Sequence, residues 1–193
     1  ERVLAVVNRK VPDRIPKDLS WGLCPAWEKE LKRRTGTEDY YNYFGLDIRI
    51  IEFGPTKLKR DFSQYFVGRD QEPGFSINEW GVGIGKSKDE SLHFEHIISP
   101  LKNGMTEEEA ASFPMPDFLE DYRHSHFKGL VEEYHEKGLA VCGSLVQTIF
   151  EKAWAIRGFE ETMMDMLTEP EAINILFDRI MELRIEQMKI LVD

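Results

Sequence analysis

Apolar positions recur at helical spacing in some stretches of the chain and at strand spacing in others, and the alternation lays out its organisation. Val3, Leu4, Val6 and Val7 predict a short helix that "VPDRIP" stops, because a proline disfavours helix at the residue before it. "IPKDLSWG" predicts a strand over residues 16–21, and Pro25 opens a helix that runs to Arg34, where proline suits the first turn. "TEDYYNYFG" predicts a short helix closed by Gly45, and Leu46, Ile48, Ile50, Ile51 and Phe53 predict a strand bounded by Gly45 and Gly54. From Pro55 to Ser99 the helical period disappears. "SQYFVG", "SINEWGVGIG" and "LHFEHIIS" are strand-like and predict an antiparallel excursion, with Gly81, Gly83 and Gly85 at turns or bulges.

Helical spacing returns at "TEEEAASF", where Thr106 and Glu109 stand in the capping-box relation. Leu119, Tyr122, Phe127, Leu130 and Tyr134 predict a helix over 118–137, closed by Gly138. "LAVCGSL" is a nearly continuous apolar run over 139–145, the mark of a strand buried on both faces in a parallel sheet. "QTIFEKAWAIRG" predicts a helix ended by Gly158. A short helix follows, then a long one starting at Thr168 with Glu171 in the capping-box place and Ile173, Leu176, Phe177, Ile180, Met188 and Leu191 as its apolar stripe. The methionines of these helices read as core filling, not as soft-metal ligands.

Strands alternating with helices imply parallel βαβ units. Three parallel strands are too few to close an eightfold barrel, which averages about 250 residues. The expected fold class is therefore α/β: an incomplete amino-terminal portion of a (β/α)8 TIM barrel, one domain over 1–193 with a hairpin insertion at about 55–100.

Composition narrows the function classes. The 193 residues are 41% hydrophobic and 11% aromatic, enough for a folded core. The start has neither the apolar stretch nor the cleavage site of a signal peptide, and no apolar run is long enough to span a membrane. Cys24 and Cys142 form no CxxC pair, so a reducing, cytoplasmic setting is expected. A net charge of −10, with only "KRR" and "KLKR" as basic runs, argues against nucleic acid. "GIGKS" ends like a phosphate-binding loop, but the first glycine of G-x-x-x-x-G-K-S falls on Trp80 and a strand-like segment follows where that loop needs a helix. His93 and His96 point to opposite faces of a strand, and His124 and His126 stand about 200° apart on a helix, so no metal site is expected in the chain.

"ERVLAVVNRKVPDRIPKDLSWG", through Pro12, Asp13, Arg14 and Pro16, resembles the opening of the uroporphyrinogen decarboxylase superfamily, a first helix followed by a P-x-D-R-x-P turn and the first barrel strand. "NEWGVGIGKS" and "SPLKNGMTEEEAASFPMPDF" are similar to that family's D-x-W-G segment and its sequel. "CGSLVQTIFEKAWAIRGFEETMMDMLTEPE" is similar to its G…FE-x-A…L-R-G-F-E…M…D-P-E block. The match runs over nearly all of the chain. The resemblance implies a TIM barrel and one of two activities. One is decarboxylation of uroporphyrinogen in porphyrin biosynthesis, which uses no cofactor. The other is methyl transfer between a small donor and a corrinoid (cobalamin) protein or tetrahydrofolate. The decarboxylase's R-Q-A-G-R signature is replaced here by "SWGLCPAW", and its second-strand aspartate by "IIEFGPTK". A polyanionic substrate needs such bidentate cations, so the methyltransferase branch is the better fit. Its zinc site, where present, is a His-x-Cys with a distant Cys in a carboxy-terminal part of the barrel that this segment does not include.

Barrel chemistry sits at the carboxyl ends of strands, which places Trp21 and Cys24 after the first strand, Glu52 and Lys57 after the second, and Ser144 and Gln147 after the third. The family sets the hairpin of Glu79 and Trp80 over the barrel mouth. Glu52 and Glu79 are the expected catalytic acids, Glu52 because desolvation at a buried strand's end raises a carboxyl pKa. Trp21, Cys24, Trp80, Ser144 and Gln147 are the expected substrate-binding residues, and the expected partners are a methyl donor and a corrinoid protein. A non-catalytic half-barrel that pairs with a partner or with itself through an open strand edge is the competing class.

Overall fold

The computed structural model describes residues 2–19, 22–69, 72–85 and 96–192. In chain order its helices are α1 (Arg2–Val7), α2 (Pro25–Thr35), α3 (Tyr40–Phe44), α4 (Glu107–Ser112), α5 (Phe127–Glu136), α6 (Ile149–Arg157), α7 (Phe159–Thr168) and α8 (Pro170–Val192). Its strands are β1 (Ile48–Ile51), β2 (Ser76–Ile77), β3 (Gly83–Gly85), β4 (His96–Ile98) and β5 (Ala140–Gly143). The class is mixed α/β with small sheets, and no barrel is formed among the described residues. No helix is long and apolar enough to cross a membrane.

Contacts divide the chain into two compact units. The first holds the described residues of Glu1–Glu52 and Ser125–Ser144, with α1–α3, β1, α5 and β5. Here β1 and β5 pair in parallel, Ile48 opposite Ala140 through Ile51 opposite Gly143, and α5 packs on both strands. The predicted strands over 46–53 and 139–145 are thus present in shortened form, but the second is not buried on both faces as expected: Ala140 and Val141 are half-buried and Cys142 and Gly143 exposed. The third predicted strand is not present: residues 16–19 carry no strand, and Ser20 and Trp21 lie outside the described residues. Polar anchoring explains that stretch. Asp47, one residue before β1, accepts from Arg2 Nη1 at 2.5 Å, Arg14 Nη1 at 2.7 Å and the Lys17 backbone N–H at 2.7 Å, while Arg2 Nε also reaches Asp13 at 2.5 Å. Asp13 and Arg14 of the P-x-D-R-x-P turn are therefore tethers that hold the opening segment to the start of β1. Burial raises the Asp47 carboxyl, but the bonds from Arg14, Lys17 and Arg2 outweigh it and bring it down to about 2.

The second unit holds the described residues of Phe53–Ser87, Glu95–His124 and Leu145–Asp193. Its sheet is the antiparallel β2-β3-β4, in the excursion predicted from the loss of helical period. Phe62, Phe66, Trp80, Val82, Phe113, Ile156, Ile173, Leu176 and Ile180 form its core. Thr106 and Glu109 make the predicted capping box on α4.

Four expectations fail here for physical reasons. "SQYFVG" forms a 3-10 turn over Ser63–Tyr65, because Asp61 Oδ1 accepts the Ser63 N–H at 2.8 Å and sets a local turn. The helix expected over 118–137 is a 3-10 turn at Asp121–Arg123 followed by α5, because the Arg123 side chain is drawn into buried ionic contacts. Thr168 ends α7 instead of capping α8: its hydroxyl donates to Met164 O at 3.0 Å, and Pro170 starts the next helix. The methionines expected in the core are largely outside it: Met163, Met164 and Met166 are exposed because α7 buries Thr162 and Asp165 instead, and Met181 and Met188 because the buried stripe of α8 runs through Leu183, Arg184 and Gln187.

Candidate functional site

The tight turn Asn78-Glu79-Trp80-Gly81 builds the centre of the second unit. Asn78 Oδ1 accepts the N–H groups of Trp80 at 3.0 Å and Val82 at 3.1 Å, and Gly81 takes φ 71°. A Cβ at Gly81 would stand 2.4 Å from the Phe62 ring, so glycine is required there by both backbone and packing. Gly83 and Gly85 lie within β3, and Lys86 and Ser87 of "GIGKS" are outside the described residues.

The turn buries Trp80 and leaves Glu79 partly exposed at the edge of an ionic cluster. Arg123, 1% exposed, donates from Nη2 to Glu79 Oε2 at 2.7 Å, from Nε to Gly54 O at 2.6 Å and from Nη1 to Asp117 Oδ1. Asp117 also accepts from Thr56 Oγ1 at 2.8 Å and from the Tyr122 hydroxyl. Burial raises the Asp117 carboxyl, and the Tyr122 and Thr56 bonds overcome it, leaving it below the usual range. A cavity of about 240 Å³ adjoins Glu79 and Asp117, lined also by Thr56, Arg60, Phe62 and Asn78.

Two further cations lie against Trp80. Lys152 Nζ is 5.2 Å and Arg184 Cζ 5.0 Å from its ring. Lys152 donates to Gln147 Oε1 at 2.8 Å; Arg184 donates from Nη1 to Gln187 Oε1 at 2.8 Å and from Nη2 to the carbonyls of Val146 and Gln147 at 3.1 and 2.6 Å. Desolvation, joined by the charge of Arg184, brings the Lys152 ammonium down to about 8, and desolvation brings Arg184 down to about 10. An amine with a pKa near 8 is suited to proton transfer or nucleophilic attack near neutral pH.

The expected site residues separate between the two units. Glu79, Trp80 and Gln147 fall in the second and take part in the clusters just described; Gln147 has φ 59°, a left-handed backbone outside glycine. Cys24, Glu52 and Ser144 fall in the first. Cys24 is buried at the start of α2, its carbonyl accepting the Trp27 N–H at 2.9 Å, which is a packing and helix-initiating role. Glu52 follows the end of β1 and is exposed, so the desolvation expected for it is absent; its carbonyl meets His126 Nε2 at 3.1 Å. Ser144 extends the β1-β5 ladder through its N–H to Ile51 O at 3.0 Å. Lys57 stacks its ammonium on the Tyr122 ring at 4.4 Å, and Trp21 is outside the described residues. Among the described residues no group of three or more His, Cys, Asp or Glu is placed to hold a metal ion.

Asp117, Arg123, Lys152 and Arg184 were not expected. Arg184 and Gln187 do carry a signal, because they continue the i, i+3, i+4 stripe of Ile173, Leu176 and Ile180, where a buried polar pair marks either a network or a site. Arg123, between a turn and a helix, carries none. The chain matches no family model, no curated protein and no solved structure.

Proposed function

We propose that the protein is a barrel-type enzyme of the uroporphyrinogen decarboxylase superfamily that moves a methyl group between a small donor and a corrinoid protein or tetrahydrofolate. The observation that carries this choice of branch is the cavity beside Glu79. Its 240 Å³ lies below the roughly 300–1,000 Å³ that takes drug-sized ligands, which suits a small methyl donor better than a tetrapyrrole. In this reading the chain is the amino-terminal portion of the barrel, and the parallel β1-β5 pair with its antiparallel excursion supports that placement. Phe62 and Asn78 line the donor site beside Glu79. Glu79, oriented by Arg123 at 2.7 Å, handles the proton that balances the transfer: when cob(I)alamin takes the methyl group the donor's heteroatom keeps the bonding pair and receives a proton, and when tetrahydrofolate takes it the methylated nitrogen gives one up.

A methyl-transfer assay on the protein from its natural source tests this, with a panel of small methyl donors and cob(I)alamin and methylcobalamin formation followed by absorbance. Turnover with one donor, lowered about 10²-fold or more in Glu79→Gln, is the expected result. No turnover across the panel overturns the reading. Decarboxylation is the second reading, favoured by the half-buried Lys152 and the buried Arg184, which suit a carboxylate-bearing substrate. Release of CO2 from uroporphyrinogen distinguishes it.

A further inference from the structure

The start of α6 gathers positive charge that no carboxylate pairs with in direct contact among the described residues. Lys152 stands at the fourth position of this nine-residue helix, close to the end where the helix dipole already disfavours a cation. Thr148, which precedes the helix, gives it no side-chain cap and turns its hydroxyl to Glu151 Oε2 at 3.3 Å. Arg184 is only 7% exposed, and its Nε has no hydrogen-bond partner among the described residues. A charged donor buried without an acceptor bears its desolvation cost with nothing to offset it.

The acids whose fields reach these cations are Glu79 and Glu151 for Lys152, and Glu79 for Arg184. Glu79 is already bonded to Arg123, and Glu151 is exposed. Between the two cations Gln147 is held at φ 59° by its bonds to both, a strained backbone that persists only where its surroundings over-determine it.

We propose that Lys152, Arg184 and the first turn of α6 form a binding site for a small oxyanion, the carboxylate or phosphate group of a substrate. An oxyanion seated there accepts from Nζ of Lys152 and Nε of Arg184, meets the free N–H groups of the helix start, and relieves the repulsion between two partly desolvated cations. The site does not depend on which reaction the protein performs. Bound charge of opposite sign also carries the Lys152 ammonium back up from about 8 toward its ordinary value.

Isothermal titration of the full chain with sodium acetate and, separately, with inorganic phosphate tests this, with sodium chloride at matched ionic strength as the control. Saturable one-to-one binding of either anion, weakened about tenfold or more in Lys152→Met, is expected. Acetate binding the tighter assigns a carboxylate ligand, and phosphate the tighter a phosphate ester. No saturable heat with either, or unchanged affinity in Lys152→Met, overturns the proposal. NMR of protein carrying 13C-dimethylated lysines gives an independent measurement: the Lys152 titration midpoint rises under saturating anion, and a midpoint that stays in place overturns the proposal whatever the methyl-transfer assay reports.

Discussion

The two ends of α6 treat buried charge in opposite ways. At its carboxyl end Arg157 meets Asp165 of α7 through Nε at 2.6 Å and Nη2 at 3.1 Å, and its Nη1 caps the carbonyls of Leu101 and Lys102 at 2.7 and 2.8 Å. A cation belongs at that end of a helix, and this one is both neutralised and saturated with acceptors. At the amino end Lys152 and Arg184 lie against one indole with no carboxylate in ion-pair contact among the described residues. Both ends are desolvated, so burial alone does not separate them. The difference is that the Arg157 end carries its own counter-charge and reads as architecture, whereas the Lys152 end lacks one and reads as a place for something else to bind.

Breaking the balanced end has the largest expected effect. Asp165→Asn leaves Arg157 buried without its partner and destabilises the protein by about 3–5 kcal/mol, read as the midpoint of urea unfolding; a loss under 1 kcal/mol, the range of an exposed pair, removes the contrast. At the unbalanced end the effect has the opposite sign. The Lys152 pKa falls from 10.5 to about 8 on folding, so between those values the unfolded chain holds more protons and stability rises with pH, by up to about 3 kcal/mol. Below 8 the folded state bears the whole cost of the buried charge. Lys152→Met is therefore expected to be more stable than the parent near neutral pH and to flatten the rise between 8 and 10.5, and a parent whose stability is level across that window refutes the desolvation argument.

Asp47 offers a balanced case in the other unit. Its pKa drops from 3.8 to about 2, so the stability it contributes is whole above 3.8 and is lost as pH falls toward 2. Asp47→Asn costs about 1–3 kcal/mol at neutral pH and little at the acid end, which acid unfolding curves of the two proteins distinguish. The smallest effect is expected beside the Arg157 end, where the fully buried Thr162 hydroxyl has no hydrogen-bond partner among the described residues. Thr162→Val removes an unsatisfied polar atom at nearly constant volume and raises thermal stability by about 1 kcal/mol; destabilisation by that amount shows that the hydroxyl is satisfied in solution.

Local rules written in the sequence determined much of this protein. Thr106 and Glu109 cap α4, Pro25 opens α2, Gly45 ends α3, and the apolar runs around Ile50 and Val141 become the two parallel strands, because capping, proline geometry and burial pattern act over a few residues. Glu79, Trp80 and Gln147, proposed from the sequence, lie in the clusters around Arg123, Lys152 and Arg184. What only the tertiary structure decided is where charges meet. Arg123 is joined to Glu79 across 44 positions and to Gly54 across 69, and those contacts replaced the predicted first half of the 118–137 helix with a turn. Trp80 is met by cations at 152 and 184. Electrostatic partners at such separations leave no period in the chain, since Coulomb attraction and desolvation depend on distance in space and not on distance along the sequence.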